Sequence, residues 1–260
     1  GGCGGANEGD MDVAMNTELD EIESDESDSE YSDSGCDVDD VDGTACTVPA
    51  AICQKKPLRS IETLIIFDWD DTLLPSTWIQ QQGLRLTEDS VPTEQQRVQL
   101  KELSLRVART LRAAKRQGRV VLVTNAERGW VELSCRKFCP WLFPALEGLK
   151  ILSARSEYEI QGITSPFEWK YLAFENEITT WSARISPCSA TNVVSVGDAG
   201  HERQALLRAA KGLPNCRAKS VKLVERPGVP QLLNQHELLG VCLRQIVRHE
   251  GSLDLCFKFS

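Results

Sequence analysis

The first 53 residues contain no Lys or Arg, although sixteen Asp and Glu fall among them. All 29 basic residues lie in the rest of the chain, against the remaining 22 acidic ones, so the formal charge of −9 divides into an acidic tail and a body of net +7. No apolar run approaches the roughly 18 residues needed to span a bilayer. The start of the chain, Gly-rich and then acidic, also lacks the basic-then-apolar order of a secretory signal. Membrane insertion and signal-directed secretion are therefore disfavoured. The first residue is Gly rather than Met, as expected for a processed or incomplete N-terminus that has lost targeting information. No basic run interleaved with aromatics appears, so nucleic acid is not the favoured partner of the +7 body. Ten cysteines are scattered from Cys3 to Cys256 without a repeated spacing. That suits reduced thiols in cytoplasm or nucleus better than a disulfide scaffold. Cys135 and Cys139 stand four apart on an expected helix, but no further ligand follows at a familiar spacing, so burial is preferred to zinc binding.

From Glu18 to Asp42 self-repulsion and scarce large apolar side chains leave nothing to offset the entropy of ordering, so residues 1–55 read as a disordered acidic tail. Ser24, Ser27, Ser29, Ser32 and Ser34 sit among carboxylates, where an acid-directed kinase would find acceptors. A tail that only solvates explains the same composition.

Residues 56–260 are long enough to bury one sizeable core, and one domain is expected. Five apolar runs predict strands at 64–67, 120–123, 150–152, 192–196 and 220–224. Their mostly continuous apolar character suits parallel strands covered on both faces. Helical spacing links them: Val98, Leu103, Val107, Leu111 and Ala114 within 94–117, then 128–138, then a helix opened by Pro166 with Trp169, Leu172, Ala173 and Ile178 near one face, then 199–210. The order implies an α/β fold, a doubly wound, Rossmann-like parallel sheet with helices on both faces, its core at about 60–225. Residues 226–260 form a C-terminal extension, with a helix over 230–249 and an edge strand over 253–259.

In such a sheet ligands bind beyond the carboxyl ends of the strands. The first strand ends in Asp68-Trp69-Asp70-Asp71-Thr72, the second in Thr124-Asn125, the fourth in Gly197-Asp198-Ala199-Gly200-His201-Glu202. Lys170 lies near the start of the Pro166 helix, and its stem reaches toward the same edge. Several carboxylates at one edge repel each other unless a cation compensates, and an oxygen-rich site suits Mg²⁺. A lysine and a hydroxyl beside that ion make a receptor for a tetrahedral phosphate. One aspartate could attack phosphorus while another, two residues on, protonates the leaving oxygen. Bringing Asp68 and Asp70 together requires a bend after Phe67, because alternate residues of an extended strand face opposite ways.

These residues, in this order and at these strand ends, resemble the four motifs of haloacid dehalogenase-like (HAD) phosphatases. Asp68-x-Asp70-x-Thr72 looks like the first, Thr124 the second, Lys170 the third and Gly197-Asp198-x-x-x-Glu202 the fourth; the similarity covers roughly residues 60–225. The resemblance implies a Mg²⁺-dependent phosphatase with an aspartyl-phosphate intermediate on Asp68 and Asp70 as general acid/base. It also implies Thr124 and Lys170 on the phosphoryl group, and Mg²⁺ held by Asp68, Asp70, Asp198 and Glu202, the last by orienting a metal-bound water. Glu202 stands where the family commonly has a second aspartate, and Trp69 where smaller apolar residues are usual. Asn125 is a candidate substrate donor, with a helix N-cap as the alternative role. Trp69, Trp78, Trp130 and Trp169 could wall a phosphosite, although ordinary packing accounts for most of them. His201 is expected to face solvent, and His236 and His249 to be isolated. No stretch between the motifs is long enough for a large cap domain, beyond a small flap over 72–93. An open site favours a macromolecular phosphoester such as a phosphoprotein. The competing reading is a catalytically weak or inactive phosphate-recognition module.

Overall fold

A computed structural model describes residues 13–15, 61–186, 189–213 and 215–258. The rest of the expected tail, with its serines, lies outside the described residues. Val13–Met15 form β1, a short strand inside the stretch read as tail. The body follows as β2 (Ile61–Phe67), α1 (Ser76–Gln81), α2 (Glu94–Lys115), β3 (Arg119–Thr124), α3 (Trp130–Phe138), α4 (Phe143–Leu146), β4 (Lys150–Ser153) and α5 (Ala154–Tyr158). It continues as α6 (Pro166–Ser182), β5 (Ala190–Gly197), α7 (Gly200–Ala210), β6 (Cys216–Lys222), α8 (Val229–Arg248) and β7 (Leu253–Phe257). One sheet runs in the order β1-β7-β6-β5-β2-β3-β4. Strands β2 to β7 are all parallel, and β1 pairs antiparallel with β7. No helix among the described residues is long and apolar enough to cross a membrane.

Alternation along each strand builds two cores. Ile65 and Phe67 pack on one face with Leu103, Val107 and Leu111 of α2 and Leu232 and Leu239 of α8. Leu64 and Ile66 face the other way, onto Trp169, Phe174 and Ile178 of α6 and Leu206 of α7. Burying both faces is what makes the strand sequences read as unbroken apolar runs. Thr93 caps α2 in a capping box with Gln96, and Ser165 with Pro166 starts α6.

Three details differ from the sequence reading. Val98 is 56% exposed; it precedes Leu103 by five residues and so lies about 140° round the helix from it. The strand expected at 220–224 runs over Cys216–Lys222, pairing Thr191–Gly197 of β5; the Val224 N–H instead donates to Gln235 Oε1 at 2.7 Å. The expected edge strand, β7, lies between β6 and β1 and is not the edge.

From β2 the chain moves to β3 and β4 on one side, then returns to β5, β6 and β7 on the other. The switch point therefore flanks the carboxyl end of β2, with β3 and β5 as neighbours, the position at which open α/β sheets leave a crevice.

Candidate active site

Asp68 follows β2 directly, and its N–H still donates to the Val196 carbonyl at 2.9 Å, as if the ladder continued. The chain then folds over. The Trp69 carbonyl accepts from Leu73 and Leu74 N–H at 2.9 and 3.0 Å. Asp71 sits at φ 53, in the left-handed region that Asp tolerates better than most residues. That conformation is anchored locally, because the Asp71 carboxylate accepts from the Thr77 N–H at 2.8 Å and from the Thr77 and Ser76 hydroxyls. This is the bend that the Asp68–Asp70 pair demands. Asp71, which the sequence reading gave no role, is what locks it to α1.

Lys170 comes from α6, 102 residues away, and is 1% exposed. Its Nζ donates to Asp68 Oδ1 at 2.6 Å and to the Val123 carbonyl at 3.0 Å, and lies 2.9 Å from Glu202 Oε1. Three acceptors thus meet the three ammonium protons. Burial works against the charge on Lys170, but Asp68 and then Glu202 outweigh it and hold the ammonium well above the usual lysine range. Glu202, on the first turn of α7, uses its other oxygen to accept from the Ala199 N–H at 3.2 Å. It pairs with Lys170, while neighbouring Arg203 pairs with Asp254.

Asp70 takes a donor on each oxygen: Trp130 Nε1 on Oδ1 at 2.9 Å and Thr124 Oγ1 on Oδ2 at 3.3 Å. Trp130 opens α3 after Gly129, and nothing in the spacing of the sequence marked it as the partner of an aspartate. Thr124, at the end of β3 and 1% exposed, also accepts from the Ala126 N–H at 3.0 Å. Asn125 is turned to a neighbouring element, its amide donating to the Pro166 carbonyl at 3.0 Å. The residue that caps α3 is Gly129. Asp198 is half-buried where β5 meets α7. His201 is exposed, its ring centroid 6.3 Å from that of Phe167. His236 is not isolated: it is buried under the turn, with Nε2 2.7 Å from the Thr72 carbonyl. Beside Thr124, a cleft of about 330 Å³ opens between the ends of β3 and β4, lined in part by Glu127, Arg128, Ser153 and Glu157.

The electrostatics carry an excess of negative charge. Burial pushes the Asp68 carboxyl well above the usual carboxylate range; Lys170 opposes that shift, and Glu202 and Asp70 reinforce it. Burial also raises Asp70, against the hydrogen bonds from Trp130 and Ser76. For Asp198, burial and then Glu202 and Asp71 push the carboxyl up to about 7. One buried ammonium thus faces Asp68, Asp70, Asp198 and Glu202, and a hard divalent cation is the ligand that such a donor set suits. Among the described residues no three His, Cys, Asp or Glu side chains converge tightly enough to hold a metal by themselves. An ion here would complete its shell with backbone carbonyl and water oxygens, as Mg²⁺ commonly does. Cys135 and Cys139 are fully buried, and burial pushes both thiols up to about 12, so they behave as inert packing.

Compared with known proteins, the chain matches no family model, no curated protein and no solved structure.

Proposed function

We propose that this chain is a Mg²⁺-dependent phosphatase of the HAD type that works through an aspartyl-phosphate on Asp68. The observation that carries the reading is the reach of Lys170: a buried ammonium, brought 102 residues along the chain to 2.6 Å from the aspartate that ends β2, at the switch point of the sheet. The ammonium works toward the ionised, nucleophilic form of Asp68 against the burial that opposes it, and would offset charge as a phosphoryl group arrives.

In the proposed reaction an Asp68 carboxylate oxygen bonds to phosphorus as the bond from phosphorus to the leaving oxygen breaks, and Asp70 gives that oxygen its proton. Asp70 then takes a proton from the water that attacks phosphorus. The bond to Asp68 breaks, and inorganic phosphate and the Asp68 carboxylate are released. Thr124 and Lys170 would face the phosphoryl oxygens. Asp68, the Asp70 carbonyl and Asp198 would hold magnesium, with Glu202 beside them. The ion, when bound, would offset the charge of the carboxylates and the phosphoryl group.

The segment after Thr72 holds only the six-residue α1 before α2 begins. A site so little covered suits a phosphorylated macromolecule, above all a phosphoprotein, and a reducing compartment, cytoplasm or nucleus, suits its free thiols. The second reading, a phosphate-recognition module without turnover, has one observation in its favour: every proton of Lys170 is already engaged within the protein.

Hydrolysis of p-nitrophenyl phosphate decides between the two. Turnover abolished by Asp68→Asn and by chelation of Mg²⁺ is the expected result, with Asp70→Asn slower by about 10²–10⁴-fold, the range for losing a general acid/base, on this substrate through the water step that Asp70 serves as base. Beryllofluoride should add to Asp68, and density on any other residue overturns the assignment. Binding of phosphopeptides without turnover would establish the second reading.

A further inference from the structure

Two indole N–H groups tie the turn after β2 to α3. Trp69 Nε1 donates to Ser134 Oγ at 3.0 Å. Ser134 Oγ donates to the Trp130 carbonyl at 2.6 Å. Trp130 Nε1 then donates to Asp70 Oδ1 at 2.9 Å. The circuit leaves the turn at residue 69 and returns to it at residue 70 through a helix sixty residues further along. Trp69 and Ser134 are both 0% exposed, so breaking a link strands a buried polar group without water to replace it. The large aromatic at position 69, where a smaller apolar residue would fill the space, thereby has a specific partner.

We propose that the Trp69–Ser134–Trp130 circuit is a positioning device for Asp70, one that decides which of its two oxygens carries the proton given to the leaving group. The inference rests on the phosphatase reading above. An indole N–H can only donate, so Asp70 Oδ1 must accept whether the carboxyl is ionised or not. Oδ2 instead meets the Thr124 hydroxyl, which donates to it here but can also accept, so Oδ2 is the oxygen on which Asp70 can carry the acid proton, with Thr124 turning from donor to acceptor when it does. That oxygen lies toward Thr124, whose hydroxyl is fixed by the Ala126 N–H and would face the phosphoryl group. Once the proton has left Oδ2, Trp130 still holds Oδ1, so Asp70 does not turn over and exchange its oxygens before the water step. Trp130 acts through Asp70 and is a positioning residue.

The test compares two substrates in the full chain with Mg²⁺: p-nitrophenyl phosphate, whose phenolate departs readily without a proton, and a simple alkyl phosphate, whose alkoxide does not. Trp130→Phe keeps an aromatic ring and removes the donor. It should lower kcat/KM for the alkyl phosphate about tenfold or more while lowering kcat/KM for p-nitrophenyl phosphate less than about threefold, because kcat/KM reports the step that forms the phosphoenzyme, in which only the alkoxide needs the acid, and leaves out the water step that both substrates share. Ser134→Ala leaves the Trp130 N–H in place and severs its tie to Trp69, and should give the same ordering with smaller changes. Equal falls in kcat/KM for both substrates, or an unchanged kcat/KM for the alkyl phosphate, overturns the inference. A wild-type protein that hydrolyses neither substrate overturns the phosphatase reading, and the positioning role with it.

Discussion

Glu202 shows how much one carboxylate can settle. Four residues after Asp198 it stands one helical turn along, where its longer side chain is expected to orient a metal-bound water, with pairing to Arg203 or solvent as the alternative. The structure buries it to 5% exposure, with one oxygen on Lys170 and the other on the Ala199 N–H. It therefore joins the ammonium that serves Asp68 to the backbone that carries Asp198. Gly197 is the residue that allows this, because a Cβ there would collide with the Glu202 side chain. The glycine next to Asp198 is thus a matter of close approach, not of turn conformation. Glu202→Ala should raise the Mg²⁺ concentration needed for half-maximal activity by about 10-fold or more, as losses of supporting groups around a metal commonly do. A magnesium titration of the variant checks this, and an unchanged curve confines Glu202 to holding Lys170.

Between elements, the turn after β2 is gripped from below as well as from α3. His236 of α8 is 1% exposed, with Nε2 2.7 Å from the Thr72 carbonyl and Nδ1 3.2 Å from Thr110 Oγ1 of α2. A carbonyl can only accept, so Nε2 carries the proton of a neutral ring. Burial pulls His236 down from 6.5 to about 4, against the pull of the Thr72 carbonyl, with Arg106 adding to the drop. Between those values the unfolded chain binds a proton that the folded chain refuses. Stability from this group is complete above pH 6.5 and is lost as pH falls toward 4, by about 2 kcal/mol between pH 6.5 and 4.5. His236→Gln, which keeps a donor for Thr72, should show a correspondingly shallower loss in urea unfolding across that interval. Parallel slopes for the two proteins would remove His236 from the acid response. The far end of α8 is held as well: buried Lys219 of β6 donates to the Val247 and His249 carbonyls at 2.8 and 2.7 Å, and Asn192 of β5 donates to Val247 at 2.9 Å. A lysine in the middle of a strand sequence reads as exposed; only the helix end laid against it explains its burial.

Over the whole molecule the dominant asymmetry is charge. Thirteen carboxylates between Glu18 and Asp42 are covalently joined to a body of net +7. If the body takes an anionic substrate as proposed, their field should reduce its attraction for that substrate, and salt should screen the effect with a Debye length of about 8 Å at physiological ionic strength. Replacing those thirteen residues by their amides leaves β1 untouched. It should raise kcat/KM for a phosphopeptide at low salt, by severalfold on the order expected for steering effects, and the gain should vanish as salt rises. Phosphorylation at Ser27 or Ser29 adds about −1.5 to −2 charge each and should act in the opposite direction. Identical kcat/KM values for both proteins at low ionic strength would limit the tail to solubility.

Sequence by itself determined the elements whose signals are local. Apolar runs gave β2 to β5, Gly118 stops the helical pattern that became α2, and Pro166 marked where α6 starts, because strand burial and helix ends depend on neighbouring residues. It also singled out Asp68, Asp70, Thr124, Lys170 and Asp198, since order at strand ends is legible once the parallel sheet is inferred. Contacts that close over long stretches of chain were decided only by the tertiary structure. Trp130 meets Asp70 across 60 residues, His236 meets Thr72 across 164, and Val13–Met15 find β7 near the other end of the chain. Each such contact depends on where a folded neighbour presents one donor or one strand edge, and no periodicity in the sequence carries that information.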